Sequence, residues 1–221
     1  MSIGLLGLGS YSTLFYLERL NALYNQRNGG YSTCPLVMMN VDFDSINPYL
    51  PDNFAKLEQP LAIHLGALQY MGVSAMVVPN ITLHEAIERL PSHQTSPYPL
   101  VHPVNVTLEA LQADQHTEAY IFGSRYSMQA DYLRNRFQEG GVSLYQPEEE
   151  AKAFLDGFRQ IIYQGEQTEQ DIKHYQYLIE RHSEERPVVI ACTELSVPLE
   201  PEKGRVYDMV GEQIVKALQF V

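Results

Sequence analysis

The chain has 221 residues, 45% of them hydrophobic and 19% charged, which excludes a disordered chain and allows one large or two small domains with a sizeable core. Against 15 Lys and Arg stand 27 Asp and Glu, a net charge of −12 at pH 7. Such a surface argues against nucleic acid and anionic membranes, both of which need basic patches, but leaves room for small anions held by oriented backbone amides. In chain order, Ile3 to Leu6 reads as a short buried strand. It is closed by the glycine turn Gly7-Leu8-Gly9-Ser10-Tyr11-Ser12 and a helix start. Leu14, Leu17, Leu20 and Tyr24 then fall at helical spacing, with Gly29-Gly30 as the stop. Leu36 to Val41 predicts a second strand ending in Asp42, and Ile46 to Phe54 a Pro/Asn-rich loop. A helix with Leu57, Leu61, Leu65 and Leu68 on one face runs to near Gly72, and Ala75 to Val78 predicts a third strand, closed by Pro79-Asn80. His84 to Leu90 continues as helix.

The pattern then restarts. Ala119 to Phe122 predicts a strand, Gly123-Ser124-Arg125-Tyr126-Ser127 a turn, and Met128, Leu133 and Phe137 a helix that stops at Gly140-Gly141. Val142 to Tyr145 is a strand. A long helical region carries Phe154, Phe158, Ile161, Ile172, Tyr175 and Ile179, and Val188 to Ala191 is a strongly apolar strand ending at Cys192-Thr193-Glu194. Val206, Met209, Val210, Ile214 and Leu218 read as a final helix. Short, wholly apolar strands alternating with helices imply α/β architecture with parallel sheets. The restart implies two similar lobes. Residues 1–103 with about 207–221 form the first and 104–206 the second. The four turn segments lie at the carboxyl ends of strands, where parallel-sheet sites form, and are expected to face one another across an interlobe cleft.

Several constellations could carry chemistry. Gly7 and Gly9 could cradle a pyrophosphate with Asp42 on a ribose, but Ser12 stands where a third glycine belongs, and a tight strand-to-helix turn explains them as well. Cys192 could be a buried small hydrophobe or, at a strand end beside Thr193 and Glu194, a thiolate base or nucleophile. Cys34, before a strand, reads as structural; one disulfide is possible but no disulfide scaffold. His84 and Glu85 could form an acid–base pair, or Thr82 and Glu85 a capping box. The other histidines (His64, His93, His102, His116, His174, His182) are scattered, and no HExxH or CxxC spacing suggests a metal. Glu148 to Glu150 read as a solvated helix N-terminus. The first residues lack a signal peptide's basic and apolar regions, and no apolar run approaches the roughly 20 residues of a membrane span, so a reduced cytoplasmic setting is expected.

Taken in order, these segments resemble the aspartate/glutamate racemase superfamily, the cofactor-independent group with hydantoin racemases, maleate isomerases and arylmalonate decarboxylases, and most closely its aspartate/glutamate racemase branch. Val189-Ile190-Ala191-Cys192-Thr193-Glu194-Leu195 is similar to the family's GCTE segment. Ile3 to Gly7, Val41-Asp42-Phe43, Thr82-Leu83-His84 and Phe122 to Met128 also match in order and spacing. The resemblance implies two Rossmann-like lobes related by a pseudo-twofold axis, an active site between them, no pyridoxal phosphate and no metal. It also implies a small amino-acid or dicarboxylate substrate and a homodimer, with no nucleic-acid or membrane partner. Two residues would flank the α-carbon, one removing the proton and the other returning one on the opposite face. The second position falls on Cys192; the first, normally Cys or Thr, falls on Asn80, whose amide has no usable acid–base chemistry near neutral pH. Water or His84 could stand in. The Asn that usually follows falls on Ile81, and the Arg of a PDRT-like segment, which pairs with a distal carboxylate, falls on Asn53. Ser124, Ser127, Thr193 and Thr82 match carboxylate-holding hydroxyl positions, Ser10 matches loosely, and Glu194, next in the GCTE segment, is expected with Asn53 among the substrate contacts. Besides a racemase, the departures at Asn80, Ile81 and Asn53 admit a single-cysteine decarboxylase or isomerase, or a carboxylate-binding protein without catalysis.

Overall fold

The computed structural model describes residues 1–91, 93, 98–199 and 205–221. They divide into two compact units, Met1–His102 with Gln213–Val221, and Pro103–Glu212.

In the first unit the central strand β1 (Ile3–Gly7) is buried at all five positions, as a strand flanked on both sides must be. It pairs in parallel with β2 (Leu36–Asn40) and β3 (Ala75–Val77), so Leu5 lies between Met38 and Val77. Helix α1 (Ser10–Asn28) connects β1 to β2, and its last turn ends on Gly29, whose positive φ of 71° favours glycine. Three short 3-10 turns, Phe43–Ser45, Asn47–Tyr49 and Phe54–Lys56, lead to α2 (Glu58–Tyr70). From α2 the predicted face of Leu61, Leu65 and Leu68, with Leu57 just before it, is fully buried against Leu6, Met76 and Leu83. After β3 comes α3 (Ile81–Glu88), and Leu100 then returns to the sheet in a parallel bridge to Met76.

The second unit repeats this plan. Helix α4 (Pro103–Ala113) precedes the central strand β4 (Glu118–Gly123). Helices α5 (Arg125–Gln129) and α6 (Asp131–Glu139) lead to β5 (Ser143–Tyr145). Helices α7 (Glu149–Gln164) and α8 (Glu169–Glu185) lead to β6 (Val188–Ala191), and α9 (Thr193–Ser196) follows it. Strand β7 (Val206–Asp208) completes the all-parallel order β5-β4-β6-β7, and α10 (Met209–Ala217) closes the chain before a last turn at Leu218–Phe220. The first sheet has the order β2-β1-β3, with Leu100 beside β3 where β7 stands beside β6.

Three local expectations change. The buried stripe of α1 is Ser12, Thr13, Tyr16 and Leu20, while Leu14 is 66% exposed. The cause is the close approach at Gly7. A Cβ there would sit 2.8 Å from the Thr13 methyl, so small polar residues face the sheet and Thr13 Oγ1 accepts the Leu8 amide at 3.0 Å. The helix expected through Met128, Leu133 and Phe137 is broken at Ala130, whose backbone is extended at ψ 124°. Val206 belongs to β7, paired with Val188, because ladder bonds outweigh the helical spacing that links it to Met209 and Val210. The return to the first unit accordingly falls at Gln213. No described helix is long and apolar enough to cross a membrane.

Leu65 is completely buried in the α2 face. Leu65→Ala leaves a cavity and is expected to cost about 2–5 kcal/mol. Urea unfolding should show this as a lower midpoint with an unchanged slope, and an unchanged midpoint would remove α2 from the core.

Candidate active site

Each unit turns two neighbouring strands directly into helices at the carboxyl edge of its sheet, and the residues at those turns match in backbone shape. After the central strands, Gly9 caps α1 at φ −57°, ψ 142° and Ser124 caps α5 at φ −63°, ψ 158°. After the next strands, Asn80 caps α3 at φ −160°, ψ 110° and Cys192 caps α9 at φ −158°, ψ 128°. Gly7 and Gly123 end the central strands for one steric reason. A Cβ on Gly123 would lie 3.0 Å from both the Ala191 carbonyl oxygen and the Ser127 Cβ, so the turn closes only without a side chain.

Cys192 is 8% exposed, and its Sγ–H donates to Glu194 Oε2 at 3.0 Å. Burial first, and the Glu194 carboxylate second, push its pKa well above the ordinary thiol value; the Leu195 amide and the Arg159 guanidinium pull weakly the other way. The resting group is therefore a thiol whose proton already points at a carboxylate. Glu194 stood among expected substrate contacts; here its carboxylate is turned to the sulfur. Thr193, 5% exposed, opens α9. A second layer fixes that helix. Ser196 Oγ donates to Asp208 Oδ1 at 2.6 Å, and the Tyr175 hydroxyl donates to the Leu195 carbonyl at 2.9 Å. The sequence reading missed Asp208 and Ser196 because it placed Val206 onward in a helix, and no local spacing links the pair.

Beside this stands the Ser124 turn. Ser124 Oγ accepts the Ser127 amide at 3.1 Å and shares a hydrogen with Ser127 Oγ at 3.0 Å; Ser127 is buried and Ser124 half-buried. The structure thus brings these two hydroxyls together.

At the equivalent turn of the first unit, Asn80 Oδ1 accepts the Leu83 amide at 3.0 Å. Asn80 is therefore the α3 cap, and the capping box expected of Thr82 and Glu85 is not formed; the Glu85 carboxylate instead pairs with Arg89 one turn on. Thr82 is half-buried on the first turn. His84 is fully buried, edge-on to His102 with ring centroids 4.7 Å apart. In the tautomer that donates from Nε2 to the Val78 carbonyl at 3.3 Å, Nδ1 is left without a hydrogen-bond partner among the described residues. Burial pushes the His84 pKa down to about 4, so the ring is neutral at pH 7. Ser10 and Asn53 are exposed, and Asn53 makes no side-chain cap at the turn it precedes. Asp42 caps its own 3-10 turn by accepting the Asp44 amide at 3.1 Å. Both cysteines are free, and Glu148 is more than a solvated end, since it pairs with Arg181 and His182.

The sequence model of the Asp/Glu/Hydantoin racemases matches residues 5–216. The chain belongs to that family. Solved structures agree on the fold. A provisionally assigned Asp/Glu racemase from Yersinia pestis is 21% identical with TM-score 0.83, covering 100% of this chain and 99% of its own. An aspartate racemase homologue from Pyrococcus horikoshii OT3 is 18% identical with TM-score 0.81, covering 99% and 97%. The maleate isomerase Iso from Pseudomonas putida S16, 9% identical, gives TM-score 0.63 over 99% and 92%.

Two measurements test the Asn80 side of this geometry. Asn80→Ala should cost about 1 kcal/mol by freeing the α3 amide, and Asn80→Asp should not. Because His84 binds its proton less readily folded than unfolded, its contribution to stability is complete above pH 6.5 and is lost as pH falls towards 4. The slope there is at most about 1.4 kcal/mol per pH unit. His84→Gln should flatten stability against pH in that window; an unchanged slope would mean the ring is not buried neutral.

Proposed function

We propose that this protein is a cofactor-independent racemase-type enzyme that moves the α-proton of a small amino acid or related carboxylate, with Cys192 as acid/base. The observation that carries the reading is the Cys192 thiol at a strand end with its proton directed at Glu194. Glu194 takes the Sγ proton, and the thiolate so formed takes the α-hydrogen. The raised pKa makes that thiolate scarce but strongly basic once formed, which suits a weakly acidic C–H bond. As the bond breaks, charge moves onto the substrate carboxylate. Ser124, Ser127 and Thr193 in the same unit are the donors proposed to hold it. The reverse transfer from sulfur to carbon regenerates the thiolate, and Glu194 then returns its proton to the sulfur, which restores thiol and carboxylate.

One observation favours a second reading. Asn80 occupies the conformation that Cys192 has in the other unit, yet its carboxamide caps a helix and cannot exchange protons. His84 is buried and neutral. Inversion then needs water as the second proton source; without it, chemistry on one face remains, as in a single-cysteine decarboxylase or isomerase of a small carboxylate. The likeness to a maleate isomerase fits either reading.

The protein should be incubated in heavy water with L- and D-aspartate and glutamate, with α-exchange followed by proton NMR and inversion by chiral separation. Exchange with inversion is expected of the racemase, and exchange with retention of the one-face enzyme. Binding without any exchange would leave a carboxylate-binding protein. Cys192→Ser should slow exchange by about 100- to 10,000-fold, and retained turnover would sink the assignment. Asn80→Cys should add inversion. Since the thiol pKa is pushed up, the rate should climb as pH rises above neutral.

A further inference from the structure

A polar cavity of about 540 Å³ lies in the second unit, and no residue of the Ser124 or Cys192 turn lines it. Its volume is that of a small-molecule pocket. Asp114 and His116 reach it from the end of α4, Arg205 and Tyr207 from the start of β7, and Glu212 from the first turn of α10. Tyr207 is buried, and its hydroxyl donates to Asp114 Oδ2 at 2.5 Å. The His116 ring stands edge-on to the Tyr207 ring, with centroids 5.7 Å apart.

Two charges in this wall have no counter-charge. Arg205 is anchored on the end of α8. Its Nε and Nη2 donate to the Ser183 carbonyl at 2.9 and 2.6 Å, and Nη2 also donates to the Glu184 carbonyl at 3.1 Å. Those partners are neutral, and Nη1 makes no hydrogen bond among the described residues. Glu212 is half-buried, and its carboxylate has neither a hydrogen bond nor an ion pair among the described residues. Burial first, then the charges of Asp208 and Asp114, push its pKa up, so the ionised form lacks the support that a nearby cation would give.

Simpler ligands fit this wall poorly. A metal ion takes several converging ligands, and no three His, Cys, Asp or Glu side chains among the described residues could hold one. A lone anion would answer Arg205 but add to the repulsion among Glu212, Asp114 and Asp208, and a lone amine would answer Glu212 and leave Arg205 without a partner. A molecule of both signs answers both.

We propose that this cavity is a second small-molecule site, which takes a zwitterion of the amino-acid class with its carboxylate on Arg205 Nη1 and its ammonium on Glu212. The Tyr207 and His116 rings supply apolar surface for the carbon chain between the two charges. The site does not depend on the chemistry at Cys192.

The probe is γ-aminobutyrate, with butyrate and butylamine as analogues that each lack one charge, titrated calorimetrically into the full-length protein. γ-Aminobutyrate should bind on the order of tenfold more tightly than either analogue, the size of one added hydrogen bond to a charged group. Glu212→Gln should reduce it to the affinity of butyrate, while butyrate binds no more weakly than before. Arg205→Gln should reduce it to the affinity of butylamine. Because Arg205 also anchors α8, Arg205→Lys, which keeps the charge, should restore part of the loss and so separates a ligand contact from a folding defect. Ser127→Ala, in the Ser124 turn, should leave the preference intact. A wild type that binds γ-aminobutyrate no better than its analogues, or a Glu212→Gln variant that keeps the preference, would overturn the proposal. So would a preference lost in Ser127→Ala, which moves the ligand to the Ser124 turn.

Discussion

A strand that runs straight into a helix leaves the first amides of that helix without partners, and the residue at the junction has to answer for them. This family fold places four such junctions at the carboxyl edges of two parallel sheets, at Gly9, Asn80, Ser124 and Cys192. The strands themselves can be wholly apolar because ladder bonds satisfy their backbone, so chemistry is displaced to the edge where the ladder stops. Gly7 and Gly123 let the turns close tightly enough for short side chains such as Thr13 and Ser127 to reach back to the strand ends.

The two later junctions show what a cap position can be used for. Asn80 and Cys192 share a backbone conformation to within a few degrees in φ, but their side chains do different work. The Asn80 oxygen is bound to the Leu83 amide, a stabilising contact that removes it from any reaction. Cys192 makes no side-chain cap, and its proton goes to Glu194 instead. The short helix after it is held from behind by Ser196, Asp208 and Tyr175 rather than by its own first residue. Structural duty is thus moved off the Cys192 side chain onto its neighbours, with Ser196 and Tyr175 buried and Asp208 half-buried.

The fold was legible because burial on both faces of a parallel sheet writes itself as short apolar runs, and Gly29, Gly72 and Gly141 mark stops at positive φ. The α2 face from Leu61 to Leu68 was equally plain. The α1 face was not, since close approach at Gly7 selects Ser12 and Thr13 over the leucines that periodicity favours. For the site, Cys192 could be found from its place after the Val188–Ala191 run, and Ser124 from the matching turn. Asn80 as cap was hidden by a better-looking candidate two residues on, Thr82 with Glu85.

A thiol held neutral sets the terms on which Cys192 could react. Burial first, and the Glu194 carboxylate beside it, disfavour the Cys192 anion, so the sulfur keeps its proton at rest. The negative charge next to the sulfur then sits on Glu194, one hydrogen bond away. On the proposed reading, proton transfer to Glu194 moves that charge onto the sulfur rather than adding to it, and an α-proton discharges the thiolate as soon as it forms. Reaction is thereby conditional on the substrate.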